Sequence, residues 1–263
     1  MKVSVFFVYI LRTAKELNIT IEESIKLVKE IGYDMVEFDI AEFDVYPDAY
    51  SLCKQNGFSV SNVYGECESE QEVYRLIDKA VECNSPCAMV LPRAKFSANG
   101  DIKSQMDNSD YVQNFSNVLK NGVAYAQKVG VNLTLECYGS GNIASKTEYL
   151  AYLFSVVDGL MHTYDSGNFY LNGEDGLSAL DRFKDITVHV HLKDYLLSPS
   201  LSDCDFSISK IATAVGSGES GIDKILDKLH SIGYNSAFTV EYLGVEKTYF
   251  AIKKSIEYLR GKR

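Results

Sequence analysis

The sequence predicts an α/β chain folded as a single (β/α)8 TIM barrel over residues 1–263. Three observations carry the expectation. Apolar runs of strand length alternate with segments of helical periodicity from end to end, eight such runs can be placed, and no linker or shift in composition divides the chain. A doubly wound open sheet would bring fewer strands and a glycine-rich first turn, and the sequence has no such turn.

Taken in order, the first strand is VSVFFVY (3–9). Lys2 ahead of this run imitates a secretory leader, but no small-residue cleavage site follows, and a buried strand is the better account. The second is DMVEFDI (34–40), reached through TIEESIKLVKEIG. There Ile21, Ile25, Leu27, Val28 and Ile31 make one apolar helix face, and Thr20 with Glu23 form a capping box. FSVSNVY (58–64), CAMVLP (87–92), VNLTLE (131–136), GLMHTYD (159–165), ITVHVHLK (186–193) and AFTVEY (237–242) supply the rest. Gly32, Gly57, Gly130 and Gly233 each stand between a helical pattern and the next strand, where a left-handed cap is expected. The longest irregular connections, Pro92 to about Met106 and Tyr195 to about Ser220, follow the fourth and seventh strands. Both therefore fall at the face where barrels keep their active sites.

Composition narrows the partners. A formal net charge of −10 has the wrong sign for neutralising nucleic-acid phosphates or meeting an acidic bilayer, so neither nucleic acid nor membrane is expected as a partner. No apolar run approaches the ~20 residues of a membrane span. Arg93, Lys95 and Lys103 gather in one loop, but Asp101 and Asp107 stand beside them, as on a solvated surface. Cys53, Cys67, Cys83, Cys87, Cys137 and Cys204 form no C-x-x-C pair, which points to reduced thiols in a cytoplasmic protein.

Strands of a barrel are covered by helices outside and by packed side chains inside, so both faces should be apolar. The last four strands break that rule with the two-residue period of a strand. Asn132, Thr134 and Glu136 oppose Val131, Leu133 and Leu135, while Thr163 and Asp165 oppose His162 and Tyr164. Thr187, His189 and His191 oppose Val188, Val190 and Leu192, while Thr239 and Glu241 oppose Phe238 and Val240. With the apolar sides given to the helices, each inward face ends in a potential metal ligand: Glu136, Asp165, His191 or Glu241. One layer deeper lie Thr134, Thr163, His189 and Thr239. Three carboxylates converging on one mouth repel one another unless a cation sits among them. Three oxygen donors and one imidazole suit a divalent ion with open positions, Mn2+ before Mg2+, Co2+ or Zn2+. His189, beneath the metal, and Asp194, beside Lys193, are expected to support these ligands by hydrogen bonds.

EIGYDMVEF at the second strand, LTLE at the fifth, YDSGN at the sixth, HVHLKD at the seventh, VGSGESGIDKIL beyond it and TVEY at the eighth carry a family resemblance over nearly the whole chain. The sequence resembles the xylose-isomerase-like TIM barrels called sugar phosphate isomerases/epimerases, which include D-tagatose 3-epimerase-type enzymes and, more distantly, endonuclease IV. The resemblance implies a metal held by Glu136, Asp165, His191 and Glu241, and proton transfer at a carbon beside a carbonyl through a metal-stabilised enediolate. Glu136 and Glu241 would act as base and acid from opposite sides of a carbohydrate substrate. Epimerisation returns the proton to the other face, and isomerisation to the adjacent carbon. Homo-oligomers are common among such barrels.

Lys193 shares the inward parity of His191 and would reach the rim, to touch a substrate oxygen or phosphate or to pair with Glu136, Asp194 or another rim acid. Phe7, Tyr9 and Tyr64 are candidates for an apolar wall against the sugar. The glycine-rich VGSGESG (215–221) reads as a turn, since Glu219 opposes a phosphate there. Departures from the epimerase pattern also stand out. Asn168, which can still bind substrate, replaces a histidine, Asn142 replaces a glutamate and Leu197 an arginine. Two other outcomes fit these departures: a metal-dependent dehydratase of a polyol or cyclitol, or a sugar-binding subunit that keeps the metal without turnover. The three-zinc site of the nuclease relative cannot be built, because only His162 and His230 remain, one facing the helices and one on a helix.

Overall fold

The computed structural model describes residues 1–93, 95–98, 100–139, 141–197 and 210–262. Eight parallel strands close a barrel: β1 (Lys2–Phe6), β2 (Met35–Asp39), β3 (Ser59–Glu66), β4 (Cys87–Leu91), β5 (Asn132–Glu136), β6 (Met161–Asp165), β7 (Thr187–Leu197) and, after a short β8 (Lys210–Thr213), β9 (Ala237–Glu241). Neighbours in sequence pair from β1 to β7, and β9 closes the ring between β7 and β1. β8 folds back antiparallel on the upper end of β7, with Asp194 opposite Thr213.

Helices α1 (Phe7–Leu17) and α2 (Ile21–Glu30) precede β2, and α3 (Glu42–Val45) and α4 (Ala49–Gln55) precede β3. α5 (Glu70–Glu82) leads to β4, α6 (Ile102–Asp107) and α7 (Asp110–Val129) to β5, and α8 (Thr147–Val156) to β6. α9 (Ser166–Leu171) and α10 (Gly176–Phe183) lie between β6 and β7, α11 (Ile222–Ser231) before β9, and α12 (Thr248–Gly261) ends the described chain. The capping box forms as expected: the Thr20 hydroxyl accepts from the Glu23 N–H at 3.2 Å and the Glu23 carboxylate from the Thr20 N–H at 2.8 Å. Gly32, Gly57, Gly130 and Gly233 all have positive φ. No helix among the described residues is long and apolar enough to cross a membrane.

The outward strand residues do pack beneath the helices. Val36, Phe38, Leu133, Leu135, Tyr164, Val190, Leu192, Phe238 and Val240 are buried, each large side chain contributing about 1.5–3 kcal/mol of transfer free energy. His162 is among them, wholly buried against Phe154 and Phe183. Two expectations change. β1 ends at Phe6, because the apolar run passes without a polar break from strand into α1, where Phe7, Ile10 and Ala14 recur at helical spacing and are buried. Thr187 turns outward, because Thr163 pairs with His189 whereas His162 pairs with Thr187, leaving Val188 as an extra residue that inverts the parity below it. The Thr187 hydroxyl accordingly lies 3.0 Å from His162 Nδ1 and donates to the Phe183 carbonyl at 2.9 Å. The connection expected to be irregular from Tyr195 is strand at both described ends, while Cys204 lies outside the described residues.

Candidate active site

The upper ends of the strands surround a cavity of about 700 Å³. Asp165 ends β6 and caps α9, its Oδ1 accepting the N–H groups of Gly167 and Asn168, both at 2.8 Å. The residues that follow are built around Lys193. The Ser166 hydroxyl donates to the Lys193 carbonyl and accepts from its N–H, each at 2.9 Å. Gly167 leaves the room that the lysine stem fills, since a Cβ there would stand 2.7 Å from both Cβ and Cγ of Lys193. Asn168 Oδ1 accepts from the ammonium at 3.0 Å, and its amide nitrogen donates to Asp165 Oδ2 at 3.1 Å.

Lys193 therefore does not reach the rim. It is 3% exposed, with Nζ 2.6 Å from Glu241 Oε1 and 3.3 Å from Asp165 Oδ2. His191 sits beside it. Its Nδ1 faces one oxygen from each of three acids, at 3.1 Å from Glu136, 3.6 Å from Glu241 and 3.9 Å from Asp165. Its Nε2 lies 3.1 Å from Oε1 of Glu37, a residue of β2 absent from the sequence-derived site.

Glu37 joins the two layers of the mouth. Its Oε2 accepts from Thr239 at 2.9 Å and lies 3.0 Å from His189 Nε2, while Asn62 donates to Oε1 at 2.7 Å. A shift in register between β2 and β3 sets Asn62 opposite Glu37. Thr163 donates to Thr134 in the same layer, so His189 lies below His191 among the threonines, as its parity predicts. Inward parity does betray Glu37, which alternates with Val36 and Phe38.

Two expected site residues face elsewhere. Phe7 is fully buried against Phe38, at 5.0 Å between centroids, and Phe6 lines the cavity instead, with Tyr9 and Tyr64. Asp194 has outward parity and does not support the ligands. Its carboxylate accepts the N–H groups of Gly216 (3.0 Å), Gly218 (2.8 Å), Ser220 (3.1 Å) and Tyr195 (3.0 Å), which makes the glycine-rich segment a turn whose amides are already engaged. Asn142 is engaged by Pro92 and Ala144, and Leu197 lies exposed on the hairpin.

Burial works against every charge in the mouth. It pushes Glu241 up to about 8 and raises Glu136, with Asp165 adding to both. Burial opposes the charges of His191 and Lys193 too, but Glu37 and Glu136 outweigh it at His191, and Asp165 and Glu241 at Lys193, so both stay protonated well above their usual ranges. Glu37 is held low despite burial by the two imidazoles, and His189 is lowered by burial.

The donor set fits a divalent ion. Glu136, Asp165 and His191 offer ligand atoms within 4.8 Å of one another, close to the span bridged by metal bonds of about 2.0–2.2 Å. Lys193 engages the far oxygen of Glu241 and leaves its nearer one beside His191. Holding Nε2 of His191 on a carboxylate turns Nδ1 toward the acids, the arrangement by which buried carboxylates orient metal-binding imidazoles.

A family model described as xylose isomerase-like TIM barrel matches residues 25–262. No curated protein matches the chain. Among solved structures, a sugar phosphate isomerase/epimerase from Parabacteroides distasonis superposes with a TM-score of 0.74 at 13% identity, over 98% of this chain and 93% of that one. The probable 3-DHS dehydratase AsbF from Bacillus anthracis gives 0.73 at 12% identity, covering 100% of both chains. A xylose isomerase-like TIM barrel protein from Mycobacterium smegmatis, in complex with magnesium, gives 0.67 at 15% identity over 90% of this chain and 86% of that one. At these identities the likeness is one of fold.

Proposed function

Because the chain belongs to the xylose isomerase-like TIM barrel family, we propose that it is a divalent-metal-dependent isomerase or epimerase of a sugar or sugar phosphate. The observation that supports this most is the surrounding of His191 Nδ1 by oxygens of Glu136, Glu241 and Asp165 while Nε2 is fixed on Glu37. Glu136, Asp165, His191 and Glu241 would hold the ion, Mn2+ in first place, with Mg2+, Co2+ or Zn2+ as alternatives. Bound there, it would polarise a substrate carbonyl and so acidify the neighbouring C–H.

The remaining steps belong to the chain. Glu136 and Glu241, on β5 and β9, approach the cavity from separate strands, and burial makes each carboxyl a stronger base than an exposed one. One takes the proton from carbon and the other returns one. Lys193 fixes Glu241 through Oε1 at 2.6 Å, and Asn168 fixes Lys193. His189 acts beneath them by holding Glu37. Phe6, Tyr9 and Tyr64 give the sugar an apolar wall. With net charge −10, a small carbohydrate in the cytoplasm is the partner that suits the chain.

Deuterium wash-in tests the reaction. Mn2+-loaded protein in D2O with a panel of ketoses, aldoses and their phosphates should place deuterium on carbon, and Glu241→Gln should abolish it. No incorporation from any substrate, or undiminished incorporation in the variant, refutes the mechanism. A dehydratase begins with the same proton abstraction, and the raised carboxyl of Glu241 could protonate a leaving hydroxyl. Loss of water in the same mass spectra identifies that outcome.

A further inference from the structure

Arginine, the planar cation suited to anions, is scarce in this chain, and most of the described ones have an acidic partner. Of the five described arginines, four are paired: Arg75 with Asp44, Arg93 with Glu72, Arg182 with Glu148 and Arg260 with Asp34. Arg12 is the fifth. It lines the large cavity from α1, is solvent-exposed, and has neither an ion pair nor a hydrogen bond among the described residues.

Its position is nonetheless built. The guanidinium carbon lies 5.5 Å from the centroid of the Tyr9 ring. That ring is buried, and its hydroxyl accepts the Tyr242 N–H at 2.9 Å, so the platform under Arg12 is fixed. Tyr9 meets Phe6 edge-on at 5.5 Å and Phe6 meets His191 at 5.3 Å. An aromatic floor thus runs from the metal-binding imidazole to a planar cation with its donors free. The other acids of the cavity wall, Asp39 and Glu42, are engaged with each other's segment, Glu42 accepting from the Asp39 N–H at 2.8 Å. Burial pushes Glu42 up to about 8 and raises Asp39, which weakens the repulsion an anion would meet there.

We propose that Arg12 binds an anionic group, phosphate or carboxylate, at the end of the substrate remote from the reacting carbons. The assignment rests on the cavity being the substrate site. A guanidinium presents a planar fork of donors that matches either anion, and a hydrogen bond to a charged group contributes about 1.5–3 kcal/mol, or roughly 10–100-fold in affinity. Neutral sugars of the same skeleton would bind without that increment.

Calorimetric binding of four probes tests it: a pentulose, the same pentulose with a terminal phosphate, a hexose, and the corresponding hexuronate. The native protein should bind one anionic probe at least about tenfold more tightly than its neutral parent, and which one tells phosphate from carboxylate. Arg12→Ala should remove that preference, and Arg12→Lys should keep part of it. Equal affinity for anionic and neutral probes, or a preference that survives Arg12→Ala, overturns the assignment. Deuterium wash-in without any anion preference would leave the isomerase reaction standing and remove Arg12. An Arg12-dependent preference without wash-in would do the reverse.

Discussion

Lys193→Met removes the ammonium from the mouth while keeping most of the stem that fills the space beside Gly167. Two opposite charges at 3.3 and 2.6 Å, the separations from Asp165 and Glu241, attract by about 5 and about 6 kcal/mol at an effective dielectric of 20. Desolvating the ammonium offsets much of this, and breaking a buried pair from one side costs about 3–5 kcal/mol. For a chain of this size each kcal/mol moves Tm by about 2–4 °C, so a fall of about 6–20 °C is expected. The sign of the pH dependence follows from Glu241. Raised to about 8 by burial in the native protein, it is pushed higher still without the ammonium, so the gap between the two proteins is flat well below pH 8 and widens as pH rises through and above it, by up to about 1.4 kcal/mol per unit. Urea unfolding of both proteins, without added metal, should therefore show a gap that is wider at pH 9 than at pH 6. A variant within about 0.5 kcal/mol of the native protein at pH 9, or a gap equal at the two pH values, would refute the buried-charge account.

Glu241, raised to about 8 by burial first, must give up its proton to become a ligand. Mn2+ affinity should climb steeply with pH through neutrality, by more than about tenfold per unit, because His191, held protonated by Glu37 and Glu136 despite its burial, must lose its proton too, and calorimetry in buffers of different ionisation enthalpy should find more than one proton released near pH 7. A flat profile would contradict it. Glu37→Gln should weaken Mn2+ binding about 10–100-fold by loosening the hold on His191, and affinity indistinguishable from the native protein would remove Glu37 from the centre.

Strand parity makes the inward set on β5, β6 and β9, and the upper part of β7, legible in the sequence, because a two-residue period with one polar face leaves a single way to turn each strand. Thr187 escaped it, since a bulge is a register event between two strands and leaves no mark on one of them. Glu37 carried the same alternating signal on β2, yet its meaning lay in contacts with His189 and His191, some 150 residues away. Phe6 and Phe7 are chemically identical neighbours, and only the onset of α1 decides which one enters the cavity. Lys193 was legible as inward but not as buried, because the room it occupies is made by Gly167 on another element. Asp194 alternates with Lys193, so its outward direction was available from parity alone.

The counter-charges of Asp165 and Glu241 are part of the polypeptide, in Lys193 and the imidazole beside it. In small zinc domains the ligands come together only when the metal does, and folding waits on supply. Here the acids are already screened by covalently attached partners. A newly synthesised chain would reach its final shape first and acquire its ion afterwards, as an addition to a finished cage. Exchange of one divalent ion for another would then need no unfolding, and the ion found in the cell would follow the compartment's supply more closely than any preference imposed during folding.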